Sequence, residues 1–214
     1  IVSQIGYMLM GLGIAIGLVG SLGASSPVAV LAMSGAVFYI FHHIIVKANL
    51  FLISGAVLIT TGSTNLKEVN GLAKSHPFLS ILFLISSMSL AGIPILSGFW
   101  AKFVLVRGGL EAGSYTIVIV ALAVSLLTLY SMTKIWTQVF WGEPDDLKSP
   151  PLDRRTKAWV YSPIAGMCVL TICIGIGAEA SASLALDAAE QLLDSSKYID
   201  AVFDGASAQI GDAP

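Results

Sequence analysis

A small set of residues in this 214-residue chain has the types and spacing to handle protons. Tyr39, His43 and Lys47 stand at i, i+4 and i+8, so on a helix they line one face. A row of such groups passes a proton by exchanging hydrogen bonds. A low-dielectric surrounding disfavours the charged form of an amine, which lets a buried lysine cycle between ammonium and amine near neutral pH. A histidine one turn away titrates in the same range and relays the proton. His42 points away from this row. Lys102, eight residues beyond Pro94, supplies a second amine, and Lys134 a third.

The elements that must position these groups are membrane helices. Hydrophobic residues make up 56% of the chain and charged residues 11%, with a mean hydropathy of +0.85. Soluble domains carry about 25% charged residues. The apolar runs are continuous over about 20 residues, whereas barrel strands alternate every second residue. Lys47 lies near the middle of the apolar stretch 27–62. A lysine at the bilayer centre costs about 2.5–3.5 kcal/mol on insertion scales, so it reads as functional by default. Residues 1–67 contain no acid to neutralise it. The competing reading is a lysine paired with a carboxylate on another helix for assembly alone. The adjacent histidine, the second lysine near a helix break and the lack of a local acid favour transport.

In chain order, the spans fall at about 1–22, 27–61, an interrupted 77–107, 115–141 and 158–178. Gly6, Gly11, Gly13, Gly17 and Gly20 give the first helix a surface for close packing inside a bundle. Ser26 and Pro27 form a turn with proline at the first helical position of the second. Gly92, Pro94 and Gly98 divide 77–107 into two short apolar halves, the mark of a broken helix whose unwound backbone lines a cavity. One broken crossing and two short crossings both satisfy this pattern. Lys102 just past the break reads as a proton group, or as an interfacial anchor beside Arg107. Lys134, near the end of its span, fits a side chain that snorkels to the interface. Ser125, Thr128 and Ser131 share its helix, and hydroxyls there commonly bond their own helix carbonyls.

The chain starts at Ile1 inside an apolar run, and it reads as the C-terminal part of something longer. The 142–157 loop carries Lys148, Arg154, Arg155 and Lys157, which predicts a cytoplasmic loop and an external tail. Residues 179–214 form an acidic tail whose Leu184, Leu186, Leu192 and Leu193 suit an amphipathic helix on a membrane surface or another subunit. Cys168 and Cys173, five apart, face different ways and suggest neither a disulfide nor a metal site. No nucleophile–base pair, phosphate loop or dinucleotide motif is visible, so no catalytic residue, cofactor or metal is expected. The net charge of −2 suggests no nucleic-acid partner.

Several motifs resemble a known family. Ser3-Gln4-Ile5-Gly6-Tyr7-Met8, the run from His42-His43 through Lys47-Ala48-Asn49, and Ala91-Gly92-Ile93-Pro94 with Gly98-Phe99-Trp100-Ala101-Lys102 look like the antiporter-like membrane subunits. That superfamily includes the proton-channel subunits of respiratory complex I and the Mrp multi-subunit Na+/H+ antiporters. The His-His-x-x-x-Lys form, Trp136 with Trp141-Gly142-Glu143, and Leu192-Leu193-Asp194 with Tyr198-Ile199-Asp200-Ala201-Val202 look most like the D-subunit family of the Mrp antiporters.

The resemblance implies an all-α, polytopic membrane bundle of about 14 helices with inverted repeats, of which this chain is the C-terminal portion. It implies that Lys47 is the central-axis lysine, His43 the histidine one turn before it, and Lys102 the broken-helix lysine. Many relatives carry a further histidine where this chain has Tyr39. The implied partners are the other subunits of a bacterial-membrane antiporter complex, the lipid bilayer, H+ and Na+. The alternatives are a proton-pumping subunit of a redox complex and a purely structural subunit.

Overall fold

The computed structural model describes residues 2–63, 65–142, 153–194, 196, 198–199 and 202–203. Glu143, Lys148 and Pro144, Pro150 and Pro151 of the basic loop lie outside the described residues, as do Asp200 and Ala201 of the tail motif. The described chain is all-helical. In order come α1 (Val2–Leu22), α2 (Pro27–Thr61), the one-turn α3 (Leu72–Ser75), α4 (Pro77–Ala91), α5 (Ser97–Glu111), α6 (Tyr115–Ile135), α7 (Arg154–Ile176) and α8 (Ala178–Leu193). A π-helical turn, Trp136–Phe140, continues α6.

Helix α2 is the axis of the bundle. Ser26 hands the chain over in an extended conformation to Pro27, whose missing N–H is not needed in a first turn. Gly62, left-handed at φ 77°, ends the helix and donates its N–H to Leu58 O. At 1.5 Å per residue α2 is about 52 Å long, well beyond a hydrocarbon core of about 30 Å. It buries residues along its whole length, from Ala29 to Thr61.

Helices α4 and α5 run antiparallel to α2 as one interrupted crossing. Leu79 and Leu82 of α4 share a core cluster with Ile53 and Ala56 of α2. Asn49 then meets Ser86, His42 meets Ser97, Gly35 lies against Leu105, and Ala32 against Gly108. The partners descend α2 steadily while α4 and α5 advance. The second half runs to Glu111, four residues past the expected 107.

Helices α7 and α8 follow the same course. Tyr161 and Ile164 join the cluster around Ile53, Cys168 meets Asn49, and Ala189 packs with Val30 and Met33. At Gly175, α7 touches the backbone of Ile95 and Leu96 so closely that a Cβ has no room. The helix at 178–193 docks on α2 of its own chain through Ala185 and Ala189. Cys168 is buried and Cys173 exposed, both free.

Of the α1 glycines only Gly11 admits a neighbour, with Ala32 O and Leu105 within 3 Å of where its Cβ would stand. Gly6, Gly13, Gly17 and Gly20 face open space. The expected dense packing is thus confined to one face.

At one end of the bundle the Gly71 N–H donates to Trp141 O at 3.3 Å. At this end α7 starts at Arg154, before the expected 158, because Asp153 caps it. The carboxylate accepts the N–H groups of Arg155 and Thr156 at 3.1 and 3.2 Å. The hydrogen bond from the Thr156 side chain, followed by the backbone bonds, holds the Asp153 carboxyl below its ordinary range. A depressed folded-state pKa means stabilisation that is full above the carboxylate range and lost as pH falls through it. Asp153→Ala is expected to lower the thermal midpoint at neutral pH, Asp153→Asn to lower it less. Both differences shrink in acid, as thermal melts at two pH values would show.

Candidate proton-transfer site

The site forms where the α4–α5 crossing breaks. Gly92 takes a left-handed conformation at φ 92° and closes α4 by donating its N–H to Met88 O and Ser89 O. Ile93 N–H bonds Met88 O as well. Residues 92–96, with Pro94 among them, are non-helical, and Ile95 is held at φ 79°. A β-branched residue at positive φ is strained backbone, of the kind found at functional turns. Gly98 lies outside this gap. It belongs to the first turn of α5, and its role is space: a Cβ there would stand 2.8 Å from His42 Cε1 and would overlap Ser89 O.

A helix that stops inside the bundle leaves its last carbonyls without partners and its C-terminal end partially negative. Lys102 turns back from α5 to meet that end. Its Nζ donates to Leu90 O at 3.1 Å, Ala91 O at 3.0 Å and Ser125 Oγ of α6 at 2.9 Å. All three ammonium protons are used. The Tyr7 ring of α1 lies 5.1 Å away. Lys102 is 8% exposed, so it is no interfacial anchor. Among the described residues no carboxylate faces it, and the ion pair seen there, Arg107–Glu111, is exposed. Held by dipoles alone, the amine can lose its proton without leaving a bare carboxylate behind.

Ser125 departs from the expectation for its helix. Thr128 and Ser131 bond their own helix carbonyls at 2.9 Å, as expected, whereas Ser125 joins Lys102 and donates to Ala91 O at 3.0 Å. A cavity of about 200 Å³ opens beside Lys102, lined by Tyr7, Gly92, Phe99 and Ser125 among others.

The central row is on α2. Tyr39 is fully buried and His43 nearly so, and their rings stack at 6.2 Å. Tyr39 also stacks on Tyr7 at 4.9 Å, and its hydroxyl donates to Gln4 Oε1, while Gln4 Nε2 donates to Thr128 Oγ1. Tyr39 therefore ties the row to α1 and α6 rather than ending it. Lys47 is half-buried, with its Nζ 5.5 Å from the Phe51 ring and no hydrogen bond among the described residues. Lys134 is exposed and touches neither Lys102 nor the row, which fits the snorkelling reading.

Sequence periodicity missed His42. It is fully buried, its Nδ1 lies 2.8 Å from Ser97 Oγ, and Ser97 Oγ lies 3.2 Å from Ser89 Oγ. Its ring meets Tyr39 edge-on at 5.7 Å. A signal existed: Ser89 and Ser97 flank the glycine–proline segment and supply the polar partners a buried imidazole needs.

Because Gly98 faces both His42 and Ser89 O, Gly98→Ala forces the two halves of the crossing apart. Overpacking of this kind costs about 1–3 kcal/mol or more. The expected result is a lower thermal midpoint and strongly reduced transport, and an unchanged midpoint would contradict the packing described.

Comparison with known proteins places this arrangement. Residues 1–128 match the membrane family described as NADH:quinone oxidoreductase/Mrp antiporter. The chain is 46% identical over 202 residues to the D subunit of the Na(+)/H(+) antiporter of Alkalihalophilus pseudofirmus, covering 94% of this chain and 38% of that protein. With the D subunit of the Bacillus subtilis Na(+)/H(+) antiporter it shares 39% identity over 171 residues, 80% of this chain and 34% of the relative. The chain thus spans little more than a third of these relatives. Among solved structures, a chain of the Mrp complex from Dietzia sp. DQ12-45-1b aligns with a TM-score of 0.73 at 29% identity, over 94% of this chain and 48% of that one. Respiratory complex I from Thermus thermophilus has a chain of the same fold, with a TM-score of 0.58 at 19% identity over 85% of this chain and 43% of that one.

Proposed function

Because the chain belongs to the NADH:quinone oxidoreductase/Mrp antiporter membrane family, we propose that it moves protons as part of the D subunit of a multi-subunit Na+/H+ antiporter. The observation that carries this reading is Lys102. Its buried ammonium sits at the end of a half-helix, held by carbonyls and a serine rather than by an acid. In this reading Lys47 and His43 pass protons along the membrane mid-plane, and Tyr39 ties their row to α1 and α6. Lys102 exchanges protons with one aqueous side. The identity to the D subunits of two antiporters supports this assignment over a redox-driven one. The assembly reading gains no support at Lys102, whose donors are all taken within its own chain.

The protein is a multi-pass membrane protein, with four helices among the described residues long and apolar enough to cross. The end of the bundle with Lys67, Lys74, Arg154, Arg155 and Lys157 is the cytoplasmic one, and the acidic tail leaves on the other side of a bacterial cell membrane. The partners are the remaining subunits of the complex, with H+ and Na+ as the transported ions.

The test is the purified intact complex in sealed vesicles. Imposing a sodium gradient is expected to move protons in the opposite direction, and the complex is expected to lack flavin and iron–sulfur absorbance. Absorbance of either kind, with no sodium-driven pH change, would assign the chain to a redox-driven proton pump instead.

A further inference from the structure

We propose that the outer face of α7 holds an anionic phospholipid with a hydroxyl-bearing headgroup, of the phosphatidylglycerol class. The site lies at the end of the bundle where α7 begins. The proposal needs only that the chain spans a membrane, and it is independent of the proton-transport reading.

Helix α7 has two faces. Tyr161, Ile164, Cys168 and Thr171 are buried and turn one face to the bundle. Arg155, Trp159, Ser162, Gly166 and Leu170 are exposed, and steps of three or four residues set them in one outward stripe. The stripe changes character along its length as a phospholipid does.

At its start stands Arg155, flanked by the exposed Arg154 and Lys157. None of the three makes an ion pair among the described residues, where Arg107 pairs with Glu111. The nearby acid, Asp153, spends its carboxylate on the N–H groups of Arg155 and Thr156. Lys157 Nζ rests 5.8 Å from the Tyr161 ring, which holds its charge at this end of the helix. Three cations against one engaged acid favour an anionic headgroup over a zwitterionic one. One turn further in, Trp159 is 71% exposed, and Trp141 at the same end is 67% exposed. Exposed indoles settle where headgroups meet acyl chains. Arg155 therefore stands at the depth of the phosphates.

The choice of headgroup comes from Pro163, which lies inside α7. Proline has no N–H, so Trp159 O lacks the donor that an unbroken helix supplies four residues on. Phosphate oxygens cannot serve that carbonyl, because they only accept. Headgroup hydroxyls can donate to it, and a glycerol headgroup brings both functions at once. Its phosphate oxygens accept from Arg155 while its hydroxyls donate to Trp159 O. Below this level Gly166 has nothing within 4 Å of where a Cβ would stand. That leaves a shallow trough beside the exposed Leu170, which an acyl chain fills and a soluble phosphate does not.

The test is a lipid titration of the intact complex in detergent, read as its melting midpoint. A ligand held by the folded form raises that midpoint. Phosphatidylglycerol is expected to raise it saturably, whereas phosphatidylcholine and glycerol 1-phosphate leave it unchanged. In a double variant, Arg155→Gln with Lys157→Gln, half-saturation is expected to need roughly 25-fold more phosphatidylglycerol, about fivefold for each cation removed. Arg155→Lys, which keeps the charge, is expected to stay close to wild type. Pro163→Ala returns a donor to Trp159 O. It is expected to abolish the preference for phosphatidylglycerol over phosphatidylmethanol, an anionic lipid whose headgroup has no hydroxyl. Superimposable titrations for wild type and the double variant would overturn the proposal. An equal rise with glycerol 1-phosphate would also overturn it, by showing a phosphate site that needs no lipid. Wild type that responds equally to phosphatidylglycerol and phosphatidylmethanol would overturn the headgroup assignment. Sodium-driven exchange remains the separate test of the transport reading, and none of these outcomes decides it.

Discussion

Lys102→Met is expected to abolish sodium-driven proton exchange and also to weaken the folded protein. The ammonium satisfies Leu90 O and Ala91 O at the end of α4, and Ser125 still covers Ala91 O when the lysine is gone. Leu90 O then loses its donor inside the bundle, at about 1–3 kcal/mol for a buried carbonyl left unpaired. The informative companion is Lys102→Arg. A guanidinium supplies donors to the same carbonyls but does not release its proton at any physiological pH. It is expected to recover much of the thermal stability and none of the exchange. Recovery of exchange by arginine would mean that charge alone matters at this position. The measurement is the melting midpoint of the complex alongside its exchange rate.

Lys47→Ala is expected to behave in the opposite way on stability. Its ammonium makes no hydrogen bond among the described residues and only lies 5.5 Å from the Phe51 ring, so its removal orphans no buried partner. Alanine also favours the helix more than lysine does by a small margin. Assembly and melting midpoint should therefore be close to wild type, while exchange is lost because the row ends at His43. The two lysines thus separate. One is built into the break and supports it, and the other lies half-buried on α2.

Much of this arrangement could be read from the residues. The long apolar helices, the interruption near Gly92 and Pro94, and the stacking of Tyr39 on His43 all follow from hydropathy and helical spacing, which are local properties. The parts that escaped depend on neighbours far away in the chain. Ser125 looks like any membrane-helix serine until α6 is set beside the end of α4, where Ala91 O and Lys102 claim it. His42 falls off the Tyr39–His43–Lys47 face, and only the docking of α4 and α5 along α2 shows that its own face looks onto the break. Gly98 resembles part of a helix breaker in sequence, yet it starts a helix and is small for the sake of His42 and Ser89. The acidic tail helix likewise reads as a surface element until Ala185 and Ala189 are seen against α2.

The most direct test of the account is a comparison of wild type and Lys47→Ala in vesicles containing equal amounts of the intact complex. A sodium gradient is imposed and the internal pH followed. The account predicts proton movement with wild type and none with Lys47→Ala, at matched assembly. Exchange by Lys47→Ala at the wild-type rate would contradict it.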